Sequence, residues 1–338
     1  MHRCIELAQM GASSVAPNPM VGAVLVNDTR VIGEGYHMVY GGPHAEVNCI
    51  ASVHERDKPL ISSSTMYVSL EPCAHFGKTP PCADLLIQQK IPEVVVGCRD
   101  PFHEVNGKGI KKLMSAGVKV STGVLEEKCK NINKRFFVFN TQHRPYIILK
   151  WAQTADARIG NYGNNRLLIT NRFTNRLVHK WRSEETGIMV GTNTALMDDP
   201  LLTNRLWYGS NPVRIVIDLE LKLPSSVHLF DGSVKTIVFN LLKHEENDSI
   251  TYYQVTEDVN IVHQVLNGLY QLKITSIMIE GGARLLQSFI DEDAWDEARV
   301  ITNKSLKAPD GVPSPVLKKF SAECEETIGN DVIKYYIH

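Results

Sequence analysis

The sequence predicts an α/β protein made of two successive domains, and three observations carry that expectation. The chain has 338 residues, more than one average core accommodates. Strand-like and helix-like segments alternate in two separate series, the pattern of helices laid on a sheet. Between the series lies "NTQHRPYI", a polar stretch with a proline that runs straight into a new apolar strand. This joint falls near residue 143 and divides the chain into 1–143 and 144–338.

The first series opens with "MHRCIELAQM", where Ile5, Leu7, Ala8 and Met10 suit an amphipathic helix. "MVGAVLVN" and "RVIGEGYH", separated by Asp28 and Thr29, read as a β-hairpin. A helix over "AEVNCIASVHE", the strand "TMYVSL", the helix "CADLLIQQK" and the buried strand "EVVVGC" follow. "GIKKLMSAG" is a helix with Gly117 at its C-terminal end. "VKVSTGV" then reads as a strand and "LEEKCKNINKRFFVF" as one continuous helix. In the second series "YIILKWAQT", "GIMVG", "VRIVID", "TIVFN", "SIMIEGG" and "DVIKYYIH" are strands. "TNRFTNRLVHKWRS" and "DVNIVHQVLNGLYQL" are helices, and "GTNTALMDDP" reads as a polar loop.

Composition narrows the function. The chain is 43% apolar and 22% charged, ordinary for a soluble globular protein. A formal net charge of −1 argues against the basic face of a general nucleic-acid binder. No apolar run approaches the roughly 20 residues of a membrane helix, and the N-terminus lacks an apolar core of signal-peptide type. Seven cysteines, an odd number, fit a reducing compartment in which most serve as small buried hydrophobes. The expected location is cytoplasmic.

Only Cys73 and Cys82 lie close together, each after a proline. With His44 they form a set of one imidazole and two thiolates, and a catalytic zinc takes three such ligands and leaves its fourth position to water. The pKa of that water falls from about 15.7 to about 7, giving a nucleophile at neutral pH. Glu46 is then the carboxylate that shuttles the water's proton to a leaving ammonia. Residues two apart on a regular helix do not face the same way. His44 and Glu46 therefore converge only if His44 stands at the helix entrance, and "GGP" before it starts a helix abruptly. Cys82 likewise opens a helix whose N-terminus favours a thiolate. Taken alone, an H-x-E is most often a pair of solvated polar residues, and a Pro-Cys is most often a loop cysteine. The combination, an H-x-E helix start followed by a strand ending in "EPC", favours a deaminase. In deaminases of nucleic-acid bases the second cysteine follows after two residues. Here eight intervene. Lys78, between the two cysteines, suits a substrate phosphate.

The segments "PNPMVGAVLV", "GEGYH", "PHAEV", "SLEPCAHFGKTPPC" and "RDP" resemble, in order, the deaminase half of the bifunctional riboflavin-biosynthesis deaminase–reductases. The resemblance implies a cytidine-deaminase-like α/β/α sandwich with zinc on His44, Cys73 and Cys82 and with Glu46 as proton shuttle. The implied substrate is 2,5-diamino-6-(5-phosphoribosylamino)pyrimidin-4-one, whose C2 amino group leaves as ammonia. Asn18 resembles the family's base-contacting asparagine, and His37 and Asp100 match positions lining the pocket. Phe102 stands where the family often has asparagine.

From residue 146 onward, "ILKWAQTADARIG", "LVHKWRSEETGIMVGTNTALMDDPLLTNR", "PVRIVID" and "IMIEGGARLLQSFI" resemble the reductase half of the same family. That half has a dihydrofolate-reductase-like fold and uses NADPH to reduce the ribosyl group to a ribityl chain. "EGGARLL" sets two glycines between strand and helix, where backbone N–H groups approach a phosphate closely, although a strand–Gly–Gly–helix is more often a tight turn. Gly281, Gly282, Thr194 and Asp198 suit the cofactor, and the resemblance adds Ala152, Leu168, Ala283 and Arg284. Arg182 and Arg205 suit a substrate phosphate bidentately, and the resemblance adds Arg166, Leu202 and Glu280 as substrate contacts. Thr194 and Asp198 otherwise serve as helix caps, and isolated arginines are usually solvated.

Three departures stand in the second domain. Ala157 replaces the family's glycine after Asp156, and alanine is strained if φ is positive there. Leu168 replaces a tryptophan, and Arg166 replaces a small residue. The alternatives are therefore a deaminase whose second domain is non-catalytic, and a nucleic-acid base deaminase. The latter wants a basic, aromatic-lined groove and the short cysteine spacing. A closed structural zinc module is disfavoured, because three ligands leave an open position. The expected partners are the small-molecule phosphoribosylaminopyrimidine and further copies of this chain as a homo-oligomer, with neither nucleic acid nor membrane.

Overall fold

The structure is a computed structural model that describes residues 1–76, 80–162, 167–318 and 320–338. It forms two compact units, Met1–His143 and Arg144–His338. No helix among the described residues is long and apolar enough to cross a membrane.

The first unit begins with helix α1 (His2–Gln9) and the hairpin strands β1 (Gly22–Asn27) and β2 (Arg30–Tyr36). Helix α2 (Ala45–Ala51), a 3-10 segment over Glu55–Ser63, strand β3 (Thr65–Leu70), α3 (Cys82–Gln88) and β4 (Glu93–Cys98) follow. The unit closes with α4 (Lys108–Ser115), β5 (Lys119–Thr122), α5 (Glu126–Ile132) and α6 (Lys134–Gln142). Its sheet runs β2-β1-β3-β4-β5, antiparallel through β1 and β3 and parallel from β3 to β5. The hairpin turns on Asp28 and Thr29, with Asp28 at φ 52°, as the turn chemistry of that dipeptide requires. Leu25, Met66, Val68, Val94 and Val96 form the core with Ala45 and Cys49 of α2. Burying these residues seats α2, and the residues at its entrance, on the sheet.

The expected single helix over 125–139 is broken at Asn133, whose φ of −108° and ψ of 18° separate α5 from α6. The buried Asn133 side chain brackets Met20, accepting from its N–H and donating to its carbonyl, each at 2.8 Å. Two hydrogen bonds to a backbone 113 residues away outweigh the continuity that local periodicity favoured.

The second unit contains β6 (Tyr146–Thr154), β7 (Arg158–Gly160), α7 (Arg172–Glu184), β8 (Gly187–Gly191) and α8 (Thr192–Asp198). Next come β9 (Val213–Ile217), β10 (Thr236–Asn240), β11 (Glu245–Glu246), β12 (Ile250–Gln254), α9 (Ile261–Gln271) and β13 (Ser276–Gly281). Helix α10 (Ala283–Asp291) leads to β14 (Glu297–Asn303), β15 (Val312–Pro313), β16 (Cys324–Ile328) and β17 (Asp331–Ile337). Ten strands form one sheet in the order β11-β12-β10-β9-β8-β13-β6-β14-β17-β16, while β7 pairs with β15 apart from it. The central strands are parallel, and β13 lies between β8 and β6. Ile188, Val190, Val216 and Val238 fill one face, and Met189, Ile215, Ile237 and Phe239 fill the other. This two-residue alternation with both sides apolar is what a parallel sheet buried on two faces demands.

"GTNTALMDDP" is not a loop but carries α8. The Thr and Asn residues hid the helical pattern, and tertiary packing of the fully buried Ala195 supplies the helix's core contact. The strand β14, passed over in the sequence, is buried at Ala298, Val300 and Ile301 and inserts between β6 and β17.

Candidate active sites

His44 caps α2 with extended backbone, φ −73° and ψ 167°, which places its ring beside the helix start while Glu46 lies in the first turn. The non-helical entrance lets residues two apart converge. Cys73 follows β3, and Cys82 is the first residue of α3. The His44 Nδ1 lies 3.6 Å from Cys73 Sγ and 3.3 Å from Cys82 Sγ, and all three ligand atoms fall within 4.8 Å of one another. Bonds of about 2.05 Å to nitrogen and about 2.3 Å to sulfur, set tetrahedrally, subtend about 3.6 Å. The donor set therefore fits zinc in both chemistry and spacing.

The two thiols are not equivalent. Cys73 is held well below the usual thiol range by a hydrogen bond from Cys82 and a second from His44. Cys82 is pushed up by that sharing and by burial. The backbone N–H of Cys82 points at Cys73 Sγ at 3.3 Å, so the N-terminus of α3 serves the Cys73 sulfur. Glu46 is only 3% exposed, and burial, then the nearby Cys73, raises its carboxyl above the ordinary range. A carboxyl that readily holds a proton is what a shuttle needs.

Around this cluster, Asn18 Nδ2 lies 3.1 Å from His37 Nε2. The other His37 nitrogen, Nδ1, donates to the Pro43 carbonyl at 3.0 Å, so Nε2 accepts from Asn18. Burial lowers the His37 pKa and keeps the ring neutral. Its ring meets the His44 ring edge-on at 5.5 Å. Asp100 is buried after β4, and burial pushes its carboxyl up to about 7. Asn18, His37, His44 and Glu46 thus belong to one neighbourhood. Lys78 lies outside the described residues.

In the second unit, Gly281 and Gly282 join β13 to α10. Gly282 has φ 59°, and a Cβ at either glycine would stand 3.0–3.2 Å from the Thr194 side chain. The glycines therefore bring the start of α10 close against α8, uniting three of the expected cofactor residues. The bare backbone beneath a helix N-terminus fits a cofactor phosphate. Ala283 opens α10 and Arg284 is exposed on its first turn, while Asp198 ends α8. Ala152 sits on β6, and Leu168 is 77% exposed. Arg166 lies outside the described residues.

Two of the expected substrate residues have their side chains engaged within the protein. The Leu202 side chain is 2% exposed and packs with Ile188, Val190 and Ala195. Its φ of 47° and its apolar side chain suit it to shape the loop from within. Arg182 is paired with Glu280. Its Nε and Nη2 donate to the two oxygens of Glu280, each at 2.7 Å, and Nη1 donates to the Thr203 carbonyl. Arg205 lines a cleft of about 390 Å³ with Arg176 and Trp207.

The sequence reading missed Lys150. It lies in β6 with a buried ammonium 3.5 Å from Glu280 Oε2, and burial lowers its pKa. Its signal was available as the one charged residue inside the apolar run "YIILKWA". At Glu280 burial works against ionisation, yet Arg182 and Lys150 together outweigh it and hold the carboxyl at about 2.

Fold and sites define the class: an α/β unit with a His-Cys-Cys set that fits a metal, followed by a unit whose central strands are parallel and in which two glycines join β13 to α10. Residues 1–98 match the family model of the cytidine and deoxycytidylate deaminase zinc-binding region, and residues 145–303 match that of the RibD C-terminal domain. The riboflavin biosynthesis protein RibD of Aquifex aeolicus (strain VF5) is 39% identical over 302 residues, covering 88% of this chain and 83% of the relative. The crystal structure of a diaminohydroxyphosphoribosylaminopyrimidine deaminase/5-amino-6-(5-phosphoribosylamino)uracil reductase from Thermotoga maritima is similar at a TM-score of 0.87. It is 34% identical and covers 100% of this chain and 97% of that one. Acinetobacter baumannii RibD is similar at a TM-score of 0.90 and 28% identity, covering 99% of this chain and 97% of that one.

The chain belongs to the RibD family of riboflavin biosynthesis proteins. It is an enzyme of small-molecule metabolism with a hydrolytic deaminase activity and a reductase activity. Its zinc-binding deaminase domain and its reductase domain imply Zn2+ and NADPH.

Proposed function

We propose that unit 1–143 deaminates 2,5-diamino-6-(5-phosphoribosylamino)pyrimidin-4-one and that unit 144–338 reduces the resulting 5-amino-6-(5-phosphoribosylamino)uracil to its ribityl form. The observation that carries the reading is the convergence of His44, Cys73 and Cys82 within 4.8 Å, with Glu46 buried in the adjoining first turn of α2. Bound zinc supplies Lewis acidity that lowers the pKa of water, and NADPH supplies the hydride.

His44, Cys73 and Cys82 hold the metal. Glu46 takes the proton of the attacking water and hands it to the departing amine. Asn18 and His37, fixed to each other, orient the base, and Asp100 and Lys78 complete the pocket. In the second unit Gly281, Gly282, Ala283, Arg284, Thr194, Asp198, Ala152 and Leu168 hold the cofactor. Glu280 orients the substrate, and Arg182 holds Glu280. Arg205 takes the phosphate, and Arg166 and Leu202 are further substrate contacts. Lys150, buried and easily deprotonated, delivers the proton that accompanies hydride transfer to the opened ribose. A cytoplasmic homo-oligomer that binds no nucleic acid belongs to the same proposal, and analytical ultracentrifugation with and without RNA checks it.

The deciding assay supplies the purified chain with the diaminopyrimidine phosphate, with and without NADPH, and follows ammonia and nicotinamide absorbance separately. Both signals are expected. Ammonia without NADPH oxidation would reduce the second unit to a non-catalytic partner.

A further inference from the structure

Glu71 stands at the end of β3, two residues before the metal ligand Cys73, and the roles assigned so far leave it out. Its side chain is 4% exposed. Leaving a carboxylate in that position without partners is costly. Among the described residues its hydrogen-bond partners are all backbone N–H groups. Oε2 accepts from Asp100 at 3.3 Å and Gly107 at 2.9 Å, and Oε1 accepts from Gly109 at 3.1 Å and Ile110 at 3.2 Å. The donors come from the end of β4, from the turn at Gly107 and from the first turn of α4. The free N–H groups and the dipole of α4 thus meet a negative charge.

The same contact brings α4 against the segment that carries Cys73. A Cβ on Gly109 would lie 1.8 Å from the Pro72 carbonyl oxygen, so the helix rests directly on the residue between Glu71 and Cys73. Asp100 is tied in at its own N–H, and its carboxylate is turned back to accept from Phe102 N at 2.8 Å. One carboxylate therefore fixes the spacing between the Pro72–Cys73 segment, which serves the metal, and Asp100, which lines the substrate pocket. A carboxylate suits this position because it only accepts, on two oxygens that each take two donors.

We infer that Glu71 is a positioning residue for the deamination: it holds Asp100 in register with Cys73, and so holds the substrate in register with the metal. This rests on the deaminase reading above. It also gives the acid of "EPC" a part in the reaction without contact with substrate.

The test is Glu71→Gln in the full chain, with Asp100→Asn and the double variant, measured as kcat and KM for ammonia release. Zinc content is read on each, and reductase turnover with 5-amino-6-(5-phosphoribosylamino)uracil serves as the control within the same chain. The glutamine nitrogen faces two N–H donors, and KM is expected to rise about tenfold or more while zinc content and reductase turnover stay at wild-type levels. The double variant is expected to be scarcely worse than Asp100→Asn, because both changes disable the same contact. If Glu71→Gln loses its zinc, Glu71→Asp decides, since it keeps the charge and shortens the reach. A zinc-loaded Glu71→Asp with raised KM supports the proposal. Wild-type KM in any zinc-loaded Glu71 variant, or multiplicative effects in the double variant, would overturn it. A wild-type chain that releases no ammonia overturns the deaminase reading itself.

Discussion

Glu280 takes one edge of the Arg182 guanidinium in a bidentate pair, Nε donating to Oε1 and Nη2 to Oε2, each at 2.7 Å, with both side chains largely buried. The pair joins α7 to the end of β13, and Lys150 on β6 completes it. Removing one partner of such a buried pair typically costs about 3–5 kcal/mol, because the other charge is left without compensation. Glu280→Gln is therefore expected to destabilise the second unit by roughly 3 kcal/mol and to abolish NADPH oxidation while leaving ammonia release intact. All four tryptophans lie beyond residue 150, so urea unfolding followed by tryptophan fluorescence reads this unit alone. An unchanged urea midpoint would show that the pair contributes nothing.

Acid is expected to weaken the same unit in two stages. His179 is buried on α7, its Nδ1 accepts from the Arg205 N–H, and burial, then Arg182 and Arg205, lowers its pKa to about 4. A depressed histidine favours the neutral folded form. Its contribution is complete above the unfolded pKa of about 6.5 and is lost as pH falls towards 4. Between pH 7 and pH 5 the loss comes to about 2 kcal/mol. Glu280, held at about 2, adds a second loss that starts below its unfolded pKa of about 4.3. The urea midpoint read by tryptophan should fall from pH 7 to pH 5, and His179→Asn should flatten that slope. An equal slope in the variant would acquit His179.

Glu46 is expected to matter for chemistry and not for the metal. Its carboxyl is raised by burial and lies outside the His44, Cys73 and Cys82 set. Glu46→Gln should keep zinc and lower ammonia release by about 100-fold or more, the scale of a lost general acid–base. Cys82→Ser should lose zinc and deamination together. Retained deamination in Glu46→Gln, measured beside its zinc content, would remove the residue from its role.

What the sequence revealed, and what it concealed, follows the range of the interaction. The placing of His44 outside its helix and of Glu46 inside it depends on "GGPHAE" alone, and local chain stiffness decides it. The turn at Asp28 and the alternation of Ile188, Met189 and Val190 are local in the same sense. Arg182 and Glu280 are 98 residues apart, Asn133 and Met20 are 113 apart, and Glu71 and Ile110 are 39 apart. No periodicity encodes those pairings. The pairing of Arg182 was hidden for this reason, because its partner is an acid on another element. Lys150 lies between the two cases, since a lone cation inside an apolar strand signals function before its partner is known.

Ala157 is the position where a local sequence signal leads to a stability prediction. It follows Asp156 in the turn between β6 and β7, and its φ is 56°, the left-handed region that glycine enters freely. Its N–H donates to the Thr154 carbonyl at 3.0 Å, and its carbonyl accepts from Ser314 N at 3.0 Å. Asp156 accepts from the Ala308 N–H at 3.1 Å. With both its backbone groups paired, the residue cannot relax out of this conformation without breaking the turn, and the strain on an alanine amounts to roughly 1–2 kcal/mol. Ala157→Gly should relieve that strain. Part of the gain is offset by the greater freedom of glycine in the unfolded chain. The net expectation is a stabilisation of about 0.5–1 kcal/mol in tryptophan-monitored urea unfolding, with reductase turnover at least equal to wild type. A variant less stable than wild type would mean that the unfolded-chain term exceeds the strain at this turn.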